Sequence, residues 1–312
     1  MKRLIRCCLL MLTATAVPFT QAAEPASCKN VRLGVVNWTD VIATSGLAQV
    51  LLDGLGYETR QTSASQQIIF AGIRDQRLDL FLGYWNPLMT ATLTPFVEQK
   101  QVRVLQAPSL ADARATLAVP TYLADQGLKS FSDIARFKTQ LGGKLYGIEP
   151  GSGANTQIKQ MIASNRFGLG DFQLVESSEA GMLSAVSRAV KRKEAVVFFG
   201  WAPHPMNVNL DMTYLSGSEN ALGPNEGQAT VWTVTAPDYA SRCPNVDRLL
   251  TNLTFSAADE SRMMQPILDH KDPLDAARQW LKDHPQDRSR WLQGVTTFDG
   301  KPGDSNLRLT AN

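Results

Sequence analysis

The chain has 312 residues, 44% hydrophobic and 19% charged, with 31 basic side chains against 29 acidic ones. That balance argues against a nucleic-acid partner and against an anionic membrane surface, both of which ask for a basic excess. The length exceeds what one hydrophobic core usually holds, so two lobes are expected.

Residues 1–23 read as a secretory signal peptide. Lys2, Arg3 and Arg6 form the charged front, Leu9 to Val17 the apolar stretch, and Thr20 to Ala23 a small-residue cleavage site. The apolar stretch is too short to span a bilayer, and no later run reaches the roughly 20 residues a span needs. Export to the periplasm without membrane insertion is therefore expected. Cleavage removes three basic residues and no acid, leaving 28 against 29. Cys7 and Cys8 lie at the front of the signal, away from the cleavage point, which argues against a lipoprotein. Cys28 and Cys243 remain, and two cysteines in an exported chain read as one disulfide rather than a metal site.

From Val31 onward strand and helix signals alternate. An apolar run to Trp38 predicts a strand; Thr39-Asp40 then supplies a helix N-cap, and Val41 to Leu55 a helix stopped by Gly56. Tyr57 to Thr62 reads as a strand, Ser65 to Arg74 as a helix, and Leu78 to Trp85 as the next strand. This βαβαβ order implies a parallel sheet. A second such unit follows: strands at Thr116–Pro120 and Tyr146–Glu149, a helix over Asn155–Asn165, a strand at Gln173–Val175, a helix over Gly181–Arg192, and a strand at Ala195–Phe199. Short strands at Met212–Leu215 and Thr230–Thr235 precede a helical C-terminal third. A Cys28–Cys243 bridge folds that third back onto the start of the chain. Lobe I then comprises residues 24–111 and 216–312, lobe II residues 112–215, and two chain crossings form a hinge.

Three of the apolar runs end in tryptophan, at Trp38, Trp85 and Trp201, and each run reads as a buried parallel strand. Ligands of open α/β sheets sit outside the carboxyl ends of strands. Three indole faces meeting there suit a cation that cannot donate hydrogen bonds, a quaternary ammonium above all. Core burial is the common use of tryptophan, and remains the alternative for each ring taken singly. Asp40 caps its helix, projects into the cleft where its charge would help neutralise a cation, or does both, with the cap alone the common use. Asn155, after the glycine-rich turn Glu149-Pro-Gly-Ser-Gly-Ala, either caps or meets a ligand hydroxyl or carboxylate. The turn lacks a P-loop lysine, but its free amides favour a carboxylate or hydroxyl. His204 either lines the cleft or makes a structural hydrogen bond. No nucleophile–base motif, metal-ligand spacing or cofactor fingerprint is present, so no enzyme, metal or cofactor is expected.

The phrases Val36-Asn-Trp38-Thr-Asp40, Gly83-Tyr-Trp85-Asn-Pro87, Tyr146 to Asn155, and Gly200-Trp-Ala-Pro-His-Pro-Met-Asn207 resemble the periplasmic choline-binding proteins of bacterial ABC transporters. Those belong to the wider glycine betaine, choline and carnitine receptor family. The resemblance spans essentially the whole mature chain. It implies an α/β, two-lobed periplasmic-binding-protein fold, an aromatic cage built from Trp38, Trp85 and Trp201, and a carboxylate at Asp40. It further implies a polar contact from Asn155, a disulfide between Cys28 and Cys243, and a membrane permease as partner. One position departs. The choline binders carry a cage tyrosine just before the Thr-Leu-Ala-Val-Pro phrase, where this chain has Ala115; Tyr122 is the other candidate for a fourth ring. Space left at Ala115 favours a longer ligand, so carnitine is expected first, with choline and glycine betaine as alternatives. An exported small-molecule enzyme is the rival from another class.

Overall fold

The computed structural model describes residues 23–309, so the expected signal peptide lies outside it except for Ala23. Strand β1 (Asn30–Val35) buries Val31, Leu33 and Val35 and lies between two parallel neighbours. One is β2 (Glu58–Ser63), whose polar, largely exposed residues suit a sheet edge; the other is β3 (Leu80–Asn86), buried through Trp85. Helix α1 (Thr39–Gly54) joins β1 to β2, and α2 (Gln66–Arg74) joins β2 to β3. This first unit matches the sequence expectation to within three residues at each end.

The remaining strands are β4 (Arg103–Val104), β5 (Leu110–Pro120), β6 (Lys144–Tyr146), β7 (Gln173–Val175), β8 (Phe198–Ala202), β9 (Met212–Tyr214) and β10 (Gln228–Thr235). All ten strands form one sheet in the order β2-β1-β3-β10-β5-β8-β6-β7, with β4 added on β10 and β9 on β5. The outer ends are parallel, as expected. The centre is not: β3 is antiparallel to β10, β10 to β5, and β5 to β8. Of the three tryptophan-ended runs read as buried parallel strands, β1 has only parallel neighbours, while β3 and β8 each have one parallel and one antiparallel neighbour. The physical reason is the route of the chain, which passes outward along β5 and returns alongside it on β10. Strand β5 also begins six residues before the predicted Thr116, because Leu110 to Arg114 is the stretch that pairs with β10.

The helices that matter for the site are α3 (Thr90–Glu98), α4 (Gly153–Ala163), α5 (Glu179–Arg192), α6 (Pro244–Asn252), α7 (Ala257–Leu268) and α8 (Pro273–Asp283). Cys28 and Cys243 form a disulfide with 5.6 Å between Cα atoms, across 215 residues of chain. Polar contacts reinforce that closure. The backbone N–H of Asn245 donates to Glu24 Oε1 (2.8 Å), and Asn245 Nδ2 donates to the Tyr57 hydroxyl (2.7 Å). With the C-terminal third anchored there, α7 and α8 pack on α1. Helix α1 is thus covered on one side by the sheet and on the other by helices, which explains its almost continuous burial.

Candidate functional site

Trp38, Trp85 and Trp201 line one cavity, each 5–7% exposed. Their placement follows from how the strands end. Trp38 is the N-cap residue of α1, in extended conformation at the mouth of β1. Trp85 closes β3 opposite Val231 of β10, and Trp201 stands on β8 opposite Ala115 of β5. Two of the indoles have their N–H groups tied down: Trp38 Nε1 donates to Glu149 Oε1 and Trp85 Nε1 to Asp40 Oδ2, both at 2.8 Å. Those bonds fix the ring planes and leave the faces free. Phe199 also lines the cavity, its ring stacked on Trp201 at 5.5 Å and 27°. The sequence reading missed it, although it lies two residues before Trp201, on the same face of the strand. Leu88, Met89 and Ile148 complete the apolar wall.

Asp40 is the cavity's carboxylate. Its side chain does not cap α1; the expected cap is corrected, since the N-cap is Trp38 and no side chain satisfies that end. The competing donor is the Trp85 indole, brought in by β3. Asp40 Oδ1 is buried with no hydrogen-bond partner. Burial, and then the nearby Glu179, push its pKa up from 3.8 to about 7. A buried carboxylate oxygen left without a partner carries a desolvation cost that a donor or a cation could offset.

Asn155 and His204 stand close by but present no polar atom to the cavity. The Asn155 amide is consumed by its own loop: Oδ1 accepts from the Ile148 N–H (3.0 Å), and Nδ2 donates to the Ile148 carbonyl (2.8 Å) and to Glu176 (3.1 Å). These bonds tie the amide into the glycine-rich turn. His204 Nδ1 accepts from the Met206 N–H at 2.9 Å, so the ring proton sits on Nε2, which donates to Glu179 Oε1 at 3.2 Å. The imidazole edge also packs on Trp201, centroids 4.8 Å apart. His204 therefore holds the cage in place. Tyr122 points elsewhere, its hydroxyl donating to the Glu194 carbonyl at 2.6 Å. Ala115, fully buried, does line the cavity.

Opposite the cage lies the N-terminus of α4. Ser152 caps it, accepting from the Asn155 N–H (3.3 Å) through its hydroxyl and from the Thr156 N–H (3.0 Å) through its carbonyl. The amides of Gly153 and Ala154, both cavity residues, are the remaining donors of that first turn. Gly153 presses so close to the Leu88 carbonyl that a Cβ would lie 2.1 Å from its oxygen. Other contacts bridge the same seam. Glu179 accepts from the Thr39 N–H (3.0 Å) and from its hydroxyl, and Gln67 Nε2 donates to the Gly151 carbonyl (2.8 Å). Replacing Gly153 by alanine is expected to wedge this seam open at about 1–3 kcal/mol of overpacking, a five- to hundredfold loss of ligand affinity. The unfolding temperature should move little, because the clash is relieved by opening. Calorimetric titration beside thermal unfolding reads both.

Among the described residues no His, Cys, Asp or Glu cluster is arranged to hold a metal ion, and no helix is long and apolar enough to cross a membrane.

Residues 29–283 match the family described as the substrate binding domain of ABC-type glycine betaine transport systems, OpuAC. An ABC-transporter choline binding protein solved with choline is 46% identical, covering 91% of this chain and 98% of its own, with a TM-score of 0.88. The unliganded, semi-closed form of an ABC-transporter choline binding protein, also 46% identical, gives 0.82 over 90% of this chain and 97% of its own. The glycine betaine/carnitine transport binding protein GbuC of Listeria monocytogenes serotype 1/2a (strain 10403S) is 30% identical over 161 residues, 52% of this chain and 53% of that protein.

Proposed function

The chain belongs to the family of substrate-binding domains of ABC-type glycine betaine transport systems, and from that premise we propose that it captures a quaternary ammonium compound, carnitine first, for a membrane permease. Members of such a family deliver ligands to transporters and do not transform them. The carrying observation is the cavity itself: three indoles and Phe199 around a buried carboxylate with one unpartnered oxygen. A trimethylammonium group has no N–H to donate, so it is held by ring faces and by charge rather than by directed hydrogen bonds. Expulsion of water from this apolar enclosure strengthens both attractions.

In this reading the receptor works in the periplasm as two lobes, residues 24–111 with 216–312 and residues 112–215, hinged where β5 and β10 run side by side. The bonds from Thr39 to Glu179, Trp38 to Glu149 and Gln67 to Gly151 then close one lobe on the other.

Two features favour carnitine over choline. Ala115 leaves room beside Trp201, and the free amides of Gly153 and Ala154 offer a helix N-terminus to a carboxylate, which choline lacks. Choline remains the second reading, on the 46% identity to the choline-bound relative. The deciding experiment is titration calorimetry with L-carnitine, choline and glycine betaine on the parent protein and on Ala115→Tyr. The variant should lose carnitine affinity by about tenfold or more through overpacking and gain up to tenfold for choline through one added cation–π contact. Tighter carnitine binding by the variant would reverse the ligand order, and no binding of any of the three would reject the quaternary ammonium reading.

A further inference from the structure

Glu179 does not line the cavity, yet its carboxylate joins two of the cavity's walls. It lies buried in the first turn of α5, a helix capped by its own Ser178, whose hydroxyl accepts from the Gly181 N–H at 3.1 Å. Glu179 Oε2 accepts from the Thr39 N–H at 3.0 Å, and Oε1 accepts from the Thr39 hydroxyl and from His204 Nε2 at 3.2 Å. Thr39 is the first residue of α1, and the N-cap Trp38 supplies no side-chain cap to that helix. One carboxylate therefore meets the N-terminus of a helix 140 residues away while standing at the N-terminus of its own, and both helix ends favour a negative charge. Three donors converge on it, so the position calls for a group that only accepts. Glutamine has one acceptor oxygen, and its NH2 would face either the Thr39 N–H or the His204 Nε2–H. The histidine does not give way by changing tautomer, because Nδ1 already accepts from the Met206 N–H at 2.9 Å. The connections run on at both sides: Thr39 stands between Trp38 and Asp40 in the chain, and His204 packs its ring on Trp201 with centroids 4.8 Å apart.

We propose that Glu179 is the positioning residue for closure: it caps α1 across the cleft only when the two lobes meet, and so locks the wall of Trp38 and Asp40 to the wall of Trp201 around a ligand it never touches. The inference rests on the two-lobed, quaternary ammonium reading above. Its first consequence is kinetic. Ligand enters while the cleft is open and Thr39 stands away from Glu179, and it leaves only after their two bonds break. The contact therefore acts on the rate of release and leaves the rate of capture alone. Its second consequence is selectivity. Closing takes the carboxylate out of water, and that cost is offset only when Thr39 arrives at hydrogen-bond distance. A ligand too bulky to let the lobes meet forfeits both bonds, so Glu179 sets an upper limit on ligand size from outside the cavity.

Stopped-flow tryptophan fluorescence with L-carnitine, choline and glycine betaine separates release from capture. Thr39→Val deletes one hydroxyl with almost the same shape and keeps the N–H; it should release ligand about tenfold faster, with capture within roughly twofold of the parent. Thr39→Ser keeps the hydroxyl and should stay within roughly threefold of the parent in both rates. Glu179→Gln should not rescue the carboxylate, and should release ligand about tenfold to a hundredfold faster. In Glu179→Ala the hydroxyl has lost its acceptor, so adding Thr39→Val should change release by less than about twofold. Parental release by Thr39→Val, or its full effect persisting in Glu179→Ala, would overturn the proposal. Should the Glu179 variants fail to fold, the contrast of Thr39→Val with Thr39→Ser decides. A ligand-free measurement separates the proposal from the identity of the ligand. In the empty parent the Thr39 amide, followed by NMR hydrogen exchange, should exchange faster than those of Leu47 and Leu51 in the same helix, and about tenfold faster again in Glu179→Gln with Leu47 and Leu51 unmoved. If none of the three compounds binds but that acceleration is seen, the ligand reading fails and the cap across the cleft stands. A Thr39 exchange rate that Glu179→Gln leaves unmoved rejects the cap whatever binds.

Discussion

Replacing Trp85 by alanine should lower affinity for the quaternary ammonium ligand by two to three orders of magnitude. Two losses combine. One cation–π face in a dry cavity is worth about 2 kcal/mol. The Trp85 indole is also the donor to Asp40 Oδ2, and its removal leaves both oxygens of a buried carboxylate unsatisfied, at about 1–3 kcal/mol. That second effect makes the empty protein bind a proton more readily, which weakens the attraction for a cation further. Truncating a buried indole also costs fold stability, about 3–5 kcal/mol, so the comparison needs Trp85→Phe, which keeps a ring and deletes only the donor. Titration calorimetry should place that variant between parent and alanine, about ten- to a hundredfold weaker than the parent. Binding of Trp85→Ala within threefold of the parent would mean that the indole is core and not cage.

Asp40→Asn should move binding and stability in opposite directions. The substitution is nearly isosteric: the asparagine carbonyl can still accept from Trp85, while its NH2 group takes the place of the unpartnered oxygen. Losing the charge that faces the cation should cost about 3 kcal/mol of binding, a hundredfold or more. The empty protein should become more stable. Asp40 has its pKa raised in the folded state to about 7 from 3.8, so between those values the folded protein holds a proton that the unfolded chain has lost. Asp40's contribution to the stability of the empty protein is therefore fully present below about pH 4, falls as pH rises toward 7, and levels off above it. By pH 8 the accumulated loss is of the order of 3–4 kcal/mol, and Asp40→Asn should recover most of it. A bound quaternary ammonium should likewise restore the parent's stability at pH 8, where its charge pairs with the carboxylate. Thermal unfolding of parent and variant at pH 5 and pH 8, with and without ligand, measures all of this. A variant that is less stable than the parent at pH 8 would show that Asp40 is already compensated in the empty protein.

The two effects share one logic. A core that keeps an unsatisfied carboxylate in the free state is less stable than it would otherwise be. On the proposed reading, a bound quaternary ammonium returns that free energy, and discrimination then comes from the empty state as well as from contacts to the ligand.

The sequence by itself determined the first βαβαβ unit, most strands of the second, the three indoles at strand ends and the pairing of Cys28 with Cys243. These follow from local rules: β-branched and aromatic runs, helix stops at glycine, and the cysteine count of an exported chain. Phe199 lay within reach of the same rules, through the two-residue period of a strand. Only the tertiary structure decided what the polar residues do. Asp40 was ambiguous between a cap and a ligand carboxylate because the choice depends on Trp85, 45 residues away. Asn155 was read as a cap or a ligand contact, and its loop uses every polar atom of the amide. Glu179 gave no signal at all, since it owes its place to Thr39, 140 residues earlier. Apolar residues announce burial through periodicity, because any apolar neighbour satisfies them. A buried polar atom needs one particular partner at hydrogen-bond distance, and which partner arrives is decided by the packing of distant segments.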